Sequence, residues 1–168
     1  MRNRESGNTG AKSSRLSHYD ESGHASMVDV SGKEFTRRTA TASAFVELSA
    51  AVLAALPSNP KGNPLEVARI AGIQAAKRTS ELIPMCHPLA LTHVDVQAEV
   101  AAGGVRIKAT AATTGPTGVE MEALTAVSVA ALTVYDMTKA LDKAIVIRNV
   151  QLETKTGGKS GDYSRGAV

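Results

Sequence analysis

The chain has 168 residues, which is long enough to bury one hydrophobic core and is typical of a single domain. Its 43% apolar and 21% charged residues are typical of a globular protein, and a net charge of +3 is too small to indicate a nucleic-acid or membrane partner. Aromatic residues make up only 3%, which argues against a single-stranded nucleic-acid binder because such proteins stack bases on aromatic side chains.

The cysteine content bears on the cellular compartment. Cys86 is the single cysteine, which excludes an internal disulfide framework and any metal site built from several cysteines. A lone thiol fits a reducing cytosol. The sequence contains no run of about 18 apolar residues and therefore predicts no membrane span, and its polar N-terminus does not resemble a secretory signal. We therefore expect a cytoplasmic protein.

The N-terminal part predicts a tail followed by three short elements. Residues 1–23 are rich in Ser, Gly, Asn and mixed charge and predict a flexible tail before a single domain over 24–163. The elements that follow are a short strand at Met27–Val30, a threonine-rich extended piece at 35–43 and a helix over 44–56 that Pro57 ends.

A second helix and a β-hairpin come next. Asn63 is suited to cap a helix that begins at Pro64 and runs to about Arg78, with an inward face made by Val67, Ile70, Ala71 and Ile73. Alternating apolar residues on both sides of Gly103-Gly104 predict a hairpin, in a register that pairs Glu99 with Lys108 and Val100 with Ile107.

The C-terminal part predicts one long helix over 119–141 and one strand over 144–154. The alternation of apolar residues in this strand shifts near Arg148-Asn149, which indicates either a β-bulge or burial on both faces. The Gly- and Lys-rich residues after Thr154 predict a tail, with 164–168 beyond the domain. The order strand, helix, helix, hairpin, helix, strand favours an α+β fold in which helices pack on one face of an antiparallel sheet.

Two segments carry candidate chemistry, each with a structural alternative. The glycines and lysines of 154–162 fit an anion-binding loop that lacks P-loop spacing, and a flexible basic tail is an equally good interpretation. Asp136 and Lys139 lie three residues apart on one helix face and suit a proton-transfer pair. An isolated pair of this kind is more often a surface ion pair.

Two further positions give weaker signals. In Met85-Cys86-His87, adjacent side chains between two prolines meet poorly as a nucleophilic pair, so we expect Cys86 to be a small buried residue. His87 can still contact a substrate from this rigid turn. Lys61 lies in the loop before a helix N-terminus, which is an anion site in principle. The four histidines form no short ligand pair, so the sequence predicts no metal site.

The spacing of Glu122 and Asp136 limits where a site can form. Fourteen residues along one helix correspond to roughly 21 Å, which is too far for both carboxylates to serve one small-molecule centre within a subunit. Either only one of them takes part, or a neighbouring chain completes the site. The second option predicts an obligate oligomer.

Four long strings span His24 to Tyr163: HASMVDVSGKEFTRR, KGNPLEVARIAGIQAAKRTSELIPMCHPLALTHVDV, TGPTGVEMEALTAVSVAALTVYDMTKALDK and TKTGGKSGDY. They closely resemble the MoaC family, the cyclic pyranopterin monophosphate synthases of molybdenum cofactor biosynthesis. The resemblance implies a ferredoxin-like α+β fold and a hexamer, built as a trimer of dimers with active sites at subunit interfaces. It also implies a lyase that converts 3',8-cyclo-7,8-dihydroguanosine 5'-triphosphate into cyclic pyranopterin monophosphate and pyrophosphate.

The resemblance also implies roles for single residues. Asp136, Lys139 and Lys61 match the catalytic carboxylate and two lysines of the family. The remaining matches are expected to bind substrate: the turn Met85, Cys86 and His87, the turn Glu120, Met121 and Glu122, and, near the triphosphate, Arg38 and Lys155.

These residue types suit the implied reaction. The lysines and Arg38 can stabilise a triphosphate and the departing pyrophosphate, while Asp136 or a lysine of lowered pKa can transfer protons. Glu120 or Glu122 can accept hydrogen bonds from a guanine-type N–H edge. The sequence requires no cofactor, and magnesium is a candidate companion of the triphosphate. The alternatives are a silent relative that only binds nucleotide phosphates and, more weakly, a nucleic-acid-binding protein.

Overall fold

The computed structural model describes Tyr19, residues 22–159 and residues 161–166. The predicted tail over 1–23 lies largely outside the described residues, as do the last two residues of the chain. Within the described residues the strands are β1 (Thr36–Glu47), β2 (Leu91–Ala101), β3 (Gly104–Gly115), β4 (Val146–Thr156) and β5 (Tyr163–Ser164). The helices are α1 (Ala50–Ala55), α2 (Pro64–Lys77), α3 (Thr79–Leu82) and α4 (Glu120–Thr138), and a 3₁₀ turn covers Leu56–Ser58.

These elements form one antiparallel sheet with helices on one face. The strand order is β2-β3-β1-β4-β5, and every neighbouring pair is antiparallel. Helices α2 and α4 contact each other, and both pack on the sheet. The predicted α+β class and the βαββαβ order of a ferredoxin-like fold are therefore confirmed. Every helix among the described residues is too short or too polar to span a bilayer.

Small side chains make the core between helix α4 and the sheet. Alternate residues of β1, among them Ala40, Ala42 and Ala44, are buried against α4, which presents Ala126 and Ala130 in return. Because these side chains are short, α4 lies close to the sheet. The position of α4 determines where its polar residues can act.

The predicted boundaries near the N-terminus are wrong in two places. Strand β1 continues to Glu47, and the helix begins only at Ala50, where the Ser49 side chain accepts a hydrogen bond from the Val52 amide. Residues 44–47, which the sequence predicted as the start of the helix, alternate between buried and half-buried as strand residues do. Met27–Val30 forms no strand, and its Val28 carbonyl bonds to the His87 side chain instead.

Helix α2 begins as predicted but buries a different face. The Asn63 side chain accepts hydrogen bonds from the Leu65 and Glu66 amides, which confirms the cap. The predicted inward residues Val67 and Ile70 are 38% and 52% exposed, while Ala71 and Ile73 are half-buried. The buried face consists instead of small residues: Ala68, Gly72, Ala75 and Ala76. A Cβ at Gly72 would lie 3.0 Å from the Ala126 carbonyl, so close packing on α4 selects these residues.

The hairpin has the predicted faces but another register. Glu99 lies opposite Arg106, not Lys108, and Val100 lies opposite Val105, not Ile107. The turn is Ala102-Gly103, because Gly104 already belongs to β3. A Cβ at Gly104 would lie 2.1 Å from the Val46 carbonyl, so the neighbouring strand, not the turn, requires this glycine. A shift of two residues leaves every side chain on its predicted face.

The last part of the chain contains more strand than predicted. Helix α4 ends at Thr138 and β4 begins at Val146, close to the predicted bounds. Asn149 has a φ of 55°, and the register against β1 shifts beside it, which confirms the bulge. The predicted tail after Thr154 is wrong over its first part, because β4 runs to Thr156. Tyr163 and Ser164 pair with it as β5.

Candidate active site

Two adjoining cavities lie beside the N-terminus of α4. The larger has a volume of about 800 Å³ and the smaller one of about 310 Å³. Both are lined by Lys33, Thr117, Gly118 and Glu120. Because they share these residues, one extended ligand can occupy both cavities at once.

Basic side chains dominate the larger cavity. Its lining includes four cationic residues against two carboxylates, namely Lys33, Arg38, Lys155 and Lys159 against Glu34 and Glu120. The Lys155 ammonium lies 3.0 Å from Glu120 Oε1, so one positive charge is already balanced by a negative one. The excess of positive charge in a recess suits an anionic group with several charges.

Backbone geometry at Gly158 allows Arg38 to reach this cavity. Arg38 Nε donates a hydrogen bond to the Gly115 carbonyl over 2.9 Å. Gly158 has a φ of 84°, and a Cβ there would lie 2.0 Å from Arg38 Nη1. The glycine therefore provides the space in which the guanidinium lies. The amide of the preceding Gly157 donates to Asp162 Oδ1, so it does not point at an anion as an anion-binding loop would require.

The smaller cavity contains the two predicted substrate-binding turns. Met85, Cys86 and His87 line it together with Met121 and Glu122. His87 Nε2 lies 2.9 Å from the Val28 carbonyl. A carbonyl oxygen only accepts, so Nε2 is the donor of this hydrogen bond.

Glu122 is the buried carboxyl of this cavity, with 4% of its surface exposed. Burial raises the pKa of Glu122 from its ordinary 4.5 to about 7, the hydrogen bond from its own backbone amide opposes this, and the charge of Glu120 adds to it. Burial, and secondly the charge of Glu122, raise the pKa of the half-buried Cys86 thiol. Near neutral pH the carboxyl can donate or accept a proton, whereas the thiol stays neutral and is a poor nucleophile.

Lys61, Asp136 and Lys139 form a second polar group. Lys139 Nζ lies 2.6 Å from Asp136 Oδ1, and Lys61 Nζ lies 3.6 Å from Oδ2 and donates to the Asp136 carbonyl over 3.1 Å. Asn59 fixes the Lys61 loop, because its side chain donates to the Met137 carbonyl and accepts from the Lys61 amide. The predicted pair is thus part of a three-membered cluster.

In this cluster the carboxylate of Asp136 and the ammonium of Lys139 each stabilise the ionised form of the other. The hydrogen bond and charge of Lys139, followed by the charge of Lys61, lower the pKa of Asp136. The hydrogen bond and charge of Asp136 raise the pKa of Lys139. A proton-transferring lysine of lowered pKa is therefore not Lys139 in this arrangement. All three side chains are about half exposed, so the ion pairs themselves contribute little stability.

Within one chain, the structure does not bring the cluster of Lys61, Asp136 and Lys139 to the two cavities. Asp136 is fourteen residues from Glu122 along the uninterrupted helix α4, which corresponds to roughly 21 Å. Lys61, Asp136 and Lys139 line neither cavity. The eight other predicted residues do meet at the cavities: Arg38, Met85, Cys86, His87, Glu120, Met121, Glu122 and Lys155.

Several residues of the cavity lining were not singled out from the sequence. Among them are Lys33, Glu34, Thr36, Thr117 and Gly118. Gly32-Lys33 and Thr117-Gly118 carried a usable signal, since glycines beside polar residues often mark a loop near a ligand. Among the described residues, no group of three or more His, Cys, Asp or Glu side chains is placed to hold a metal ion.

Comparison with known proteins assigns the family. The family model described as MoaC family matches residues 27–158. The chain belongs to the MoaC family. Three similar MoaC proteins, each named cyclic pyranopterin monophosphate synthase, come from Nocardioides sp. strain JS614, Parvibaculum lavamentivorans and Staphylococcus carnosus. They are 61%, 56% and 54% identical to this chain, over 90%, 89% and 90% of it and over 96%, 96% and 98% of their own lengths.

The raised pKa of Glu122 predicts how stability depends on pH. The folded protein holds a proton on Glu122 that the unfolded chain releases above about pH 4.5, so raising the pH toward 7 and beyond favours unfolding. Glu122→Gln removes this dependence. Between pH 5 and pH 8 we expect the wild type to lose about 1–3 kcal/mol relative to the variant, measured by urea denaturation. Glu99→Gln, at an exposed position of β2, is the control, and parallel curves for wild type and Glu122→Gln would contradict the prediction.

The contact between Gly158 and Arg38 predicts a specific loss of anion binding. Gly158→Ala pushes the guanidinium away, so we expect inorganic pyrophosphate to bind about tenfold more weakly in calorimetric titration. Gly161→Ala is a matched control, because Gly161 also has a positive φ, 75°, but open space around it. Both variants carry the same backbone strain. Equal affinities of the two variants would show that strain, not the position of Arg38, controls binding.

Proposed function

We propose that this protein is a cyclic pyranopterin monophosphate synthase of molybdenum cofactor biosynthesis. The observation that carries the proposal is the joined pair of cavities, one rich in cations and one with a buried carboxyl, in a chain that shares 54–61% identity with the synthases named above. The proposed substrate, 3',8-cyclo-7,8-dihydroguanosine 5'-triphosphate, has a matching division into a charged tail and a ring with N–H groups.

The two cavities suit the two ends of this substrate. In the proposal, Arg38 and Lys155 bind the triphosphate in the larger cavity, where charge-assisted hydrogen bonds are strong. The ring lies between the turns at 85–87 and 120–122, and Glu120 or Glu122 accepts hydrogen bonds from its N–H edge. Since the pKa of Glu122 is about 7, its carboxyl can also exchange a proton with the ring as the ring is rebuilt.

In the proposal, the cluster of Lys61, Asp136 and Lys139 acts in the step that releases pyrophosphate. A cyclic monophosphate forms when a hydroxyl oxygen of the ligand bonds to the α-phosphorus and the bond to the β-phosphate oxygen breaks. We assign Asp136 as the carboxylate that takes up a proton, and Lys61 and Lys139 as the cations that stabilise the charge on the departing pyrophosphate. The raised pKa of Lys139 supports a role as a permanent cation.

The separation of the groups supports a site shared between subunits. The proposed assembly is a hexamer, a trimer of dimers, in which the Lys61, Asp136 and Lys139 of one subunit face the cavities of another. Exposed apolar side chains on the helical layer support such contacts, since Val67, Ile70 and Leu132 are each more than a third exposed. Magnesium bound to the triphosphate and a cytoplasmic location also stay proposals, the second because a lone cysteine fits a reducing compartment.

Turnover of the cyclised nucleotide tests the proposed activity. We expect wild-type protein to release pyrophosphate from it, and Asp136→Asn and Lys61→Ala each to lower kcat about 100-fold or more, because each removes a charge from the reacting centre. Asp95→Asn in β2, away from both groups, is the control. Tight binding of the substrate by the wild type without any turnover would favour a silent binding protein instead.

Mixing of inactive subunits tests the shared site. Glu122→Ala and Lys61→Ala are each expected to be inactive. Co-expressed in equal amounts, they should restore about a quarter of the wild-type activity, because a site between two chains can then combine an intact cavity with an intact cluster. Lys61→Ala with Asp136→Asn is the matched pair that should restore none, since both lie in one group. We expect a sedimentation mass of six times the 17.4 kDa subunit, and an active monomer would contradict the proposal.

A further inference from the structure

The segment from Val28 to Lys33 is an irregular turn that is tied to the cavities at its start. His87 donates a hydrogen bond to the Val28 carbonyl over 2.9 Å. Within the turn, the Ser31 amide donates to Asp29 Oδ1 and the Lys33 amide donates to the Val30 carbonyl. The segment therefore has a defined path between its contact with His87 and the residue Lys33.

Lys33 lies where the two cavities join. It lines both of them, unlike Arg38 and Lys155, which line only the larger one. Over the described part of the chain, no carboxylate lies within ion-pair distance of Lys33, whereas Lys155 is paired with Glu120. An ammonium at the junction of a cationic cavity and a ring-sized cavity is placed for an anionic group that connects the two parts of a ligand.

We propose that Lys33 binds the phosphate group nearest to the ring of the substrate, and that His87 positions Lys33 through the Val28 carbonyl. The inference rests on the proposed function and adds a residue to its binding site. His87 then has two roles. It contacts the ring in the smaller cavity, and its hydrogen bond to the Val28 carbonyl positions Lys33 where the two cavities join.

Inorganic tripolyphosphate separates the phosphate contact from all contacts with the ring. In calorimetric titration we expect Lys33→Ala to bind tripolyphosphate about tenfold more weakly than wild type, and Lys33→Arg to keep most of the affinity because it keeps the charge. Lys108→Ala, at an exposed lysine on β3 that lines neither cavity, controls for the loss of one positive charge and should bind as wild type does. In turnover, Lys33→Ala should raise KM more than it lowers kcat.

A double-mutant cycle tests the positioning role of His87. His87→Ala should also weaken tripolyphosphate binding, by about three- to fivefold, although the probe has no ring for His87 to contact. In the Lys33→Ala background the same change should have almost no effect, because the residue that His87 positions is then missing. Additive losses would show that His87 does not act through Lys33.

The outcomes separate this inference from the proposed function. Equal tripolyphosphate affinity of wild type and Lys33→Ala, or no binding by the wild type, overturns the inference even if the wild type turns over the cyclised nucleotide. Loss of affinity in Lys33→Ala that Lys33→Arg restores supports the inference. If the wild type then shows no turnover, the proposed function alone fails and Lys33 remains a phosphate-binding residue of a binding protein.

Discussion

Helix α4 fixes the distance between the two groups of polar side chains, and no movement of a loop can close it. One face of the helix is buried against β1 and β3 through small side chains such as Ala126 and Ala130, so the helix cannot tilt without opening the core. Glu122 lies in its first turn and Asp136 near its last. If both carboxylates serve one reaction, assembly of subunits is a condition of catalysis and not only of stability.

The charges beside the first turn of α4 link the two cavities. Glu120 is paired with Lys155 in the larger cavity, and its charge also contributes to the raised pKa of Glu122 in the smaller one. A phosphate that draws the Lys155 ammonium away from Glu120 leaves the Glu120 charge less neutralised. The less neutralised charge raises the proton affinity of Glu122 further. The phosphate end and the ring end of a ligand are therefore not independent, which agrees with a lining in which Lys33, Thr117 and Gly118 belong to both cavities.

Local signals in the sequence predicted the features that depend on neighbouring residues. The Asn63 cap, the faces of the hairpin and the bulge at Asn149 are of this kind. The buried face of α2 could not be found in this way, because close packing against the Ala126 carbonyl selects Gly72 and leaves the larger Ile70 exposed. The apolar residues of Met27–Val30 predicted a strand. The segment instead bonds through the Val28 carbonyl to the side chain of His87, 59 residues away, and no local pattern indicates such a contact. The proposed role of Lys33 depends on that distant contact. The glycine beside Lys33 indicated a loop, but composition and spacing gave no sign of the contact between Val28 and His87.

The cluster of Lys61, Asp136 and Lys139 is better explained by chemistry than by stability. Half-exposed ion pairs contribute little to the stability of the fold. The Asn59 side chain nevertheless fixes the Lys61 loop against the end of α4 through two hydrogen bonds. One carboxylate between two ammonium groups leaves a net positive charge while it holds both lysines in place. Such a group can accept a proton at one atom and stabilise negative charge at two others, and an exposed position allows a second subunit to bring its substrate to it.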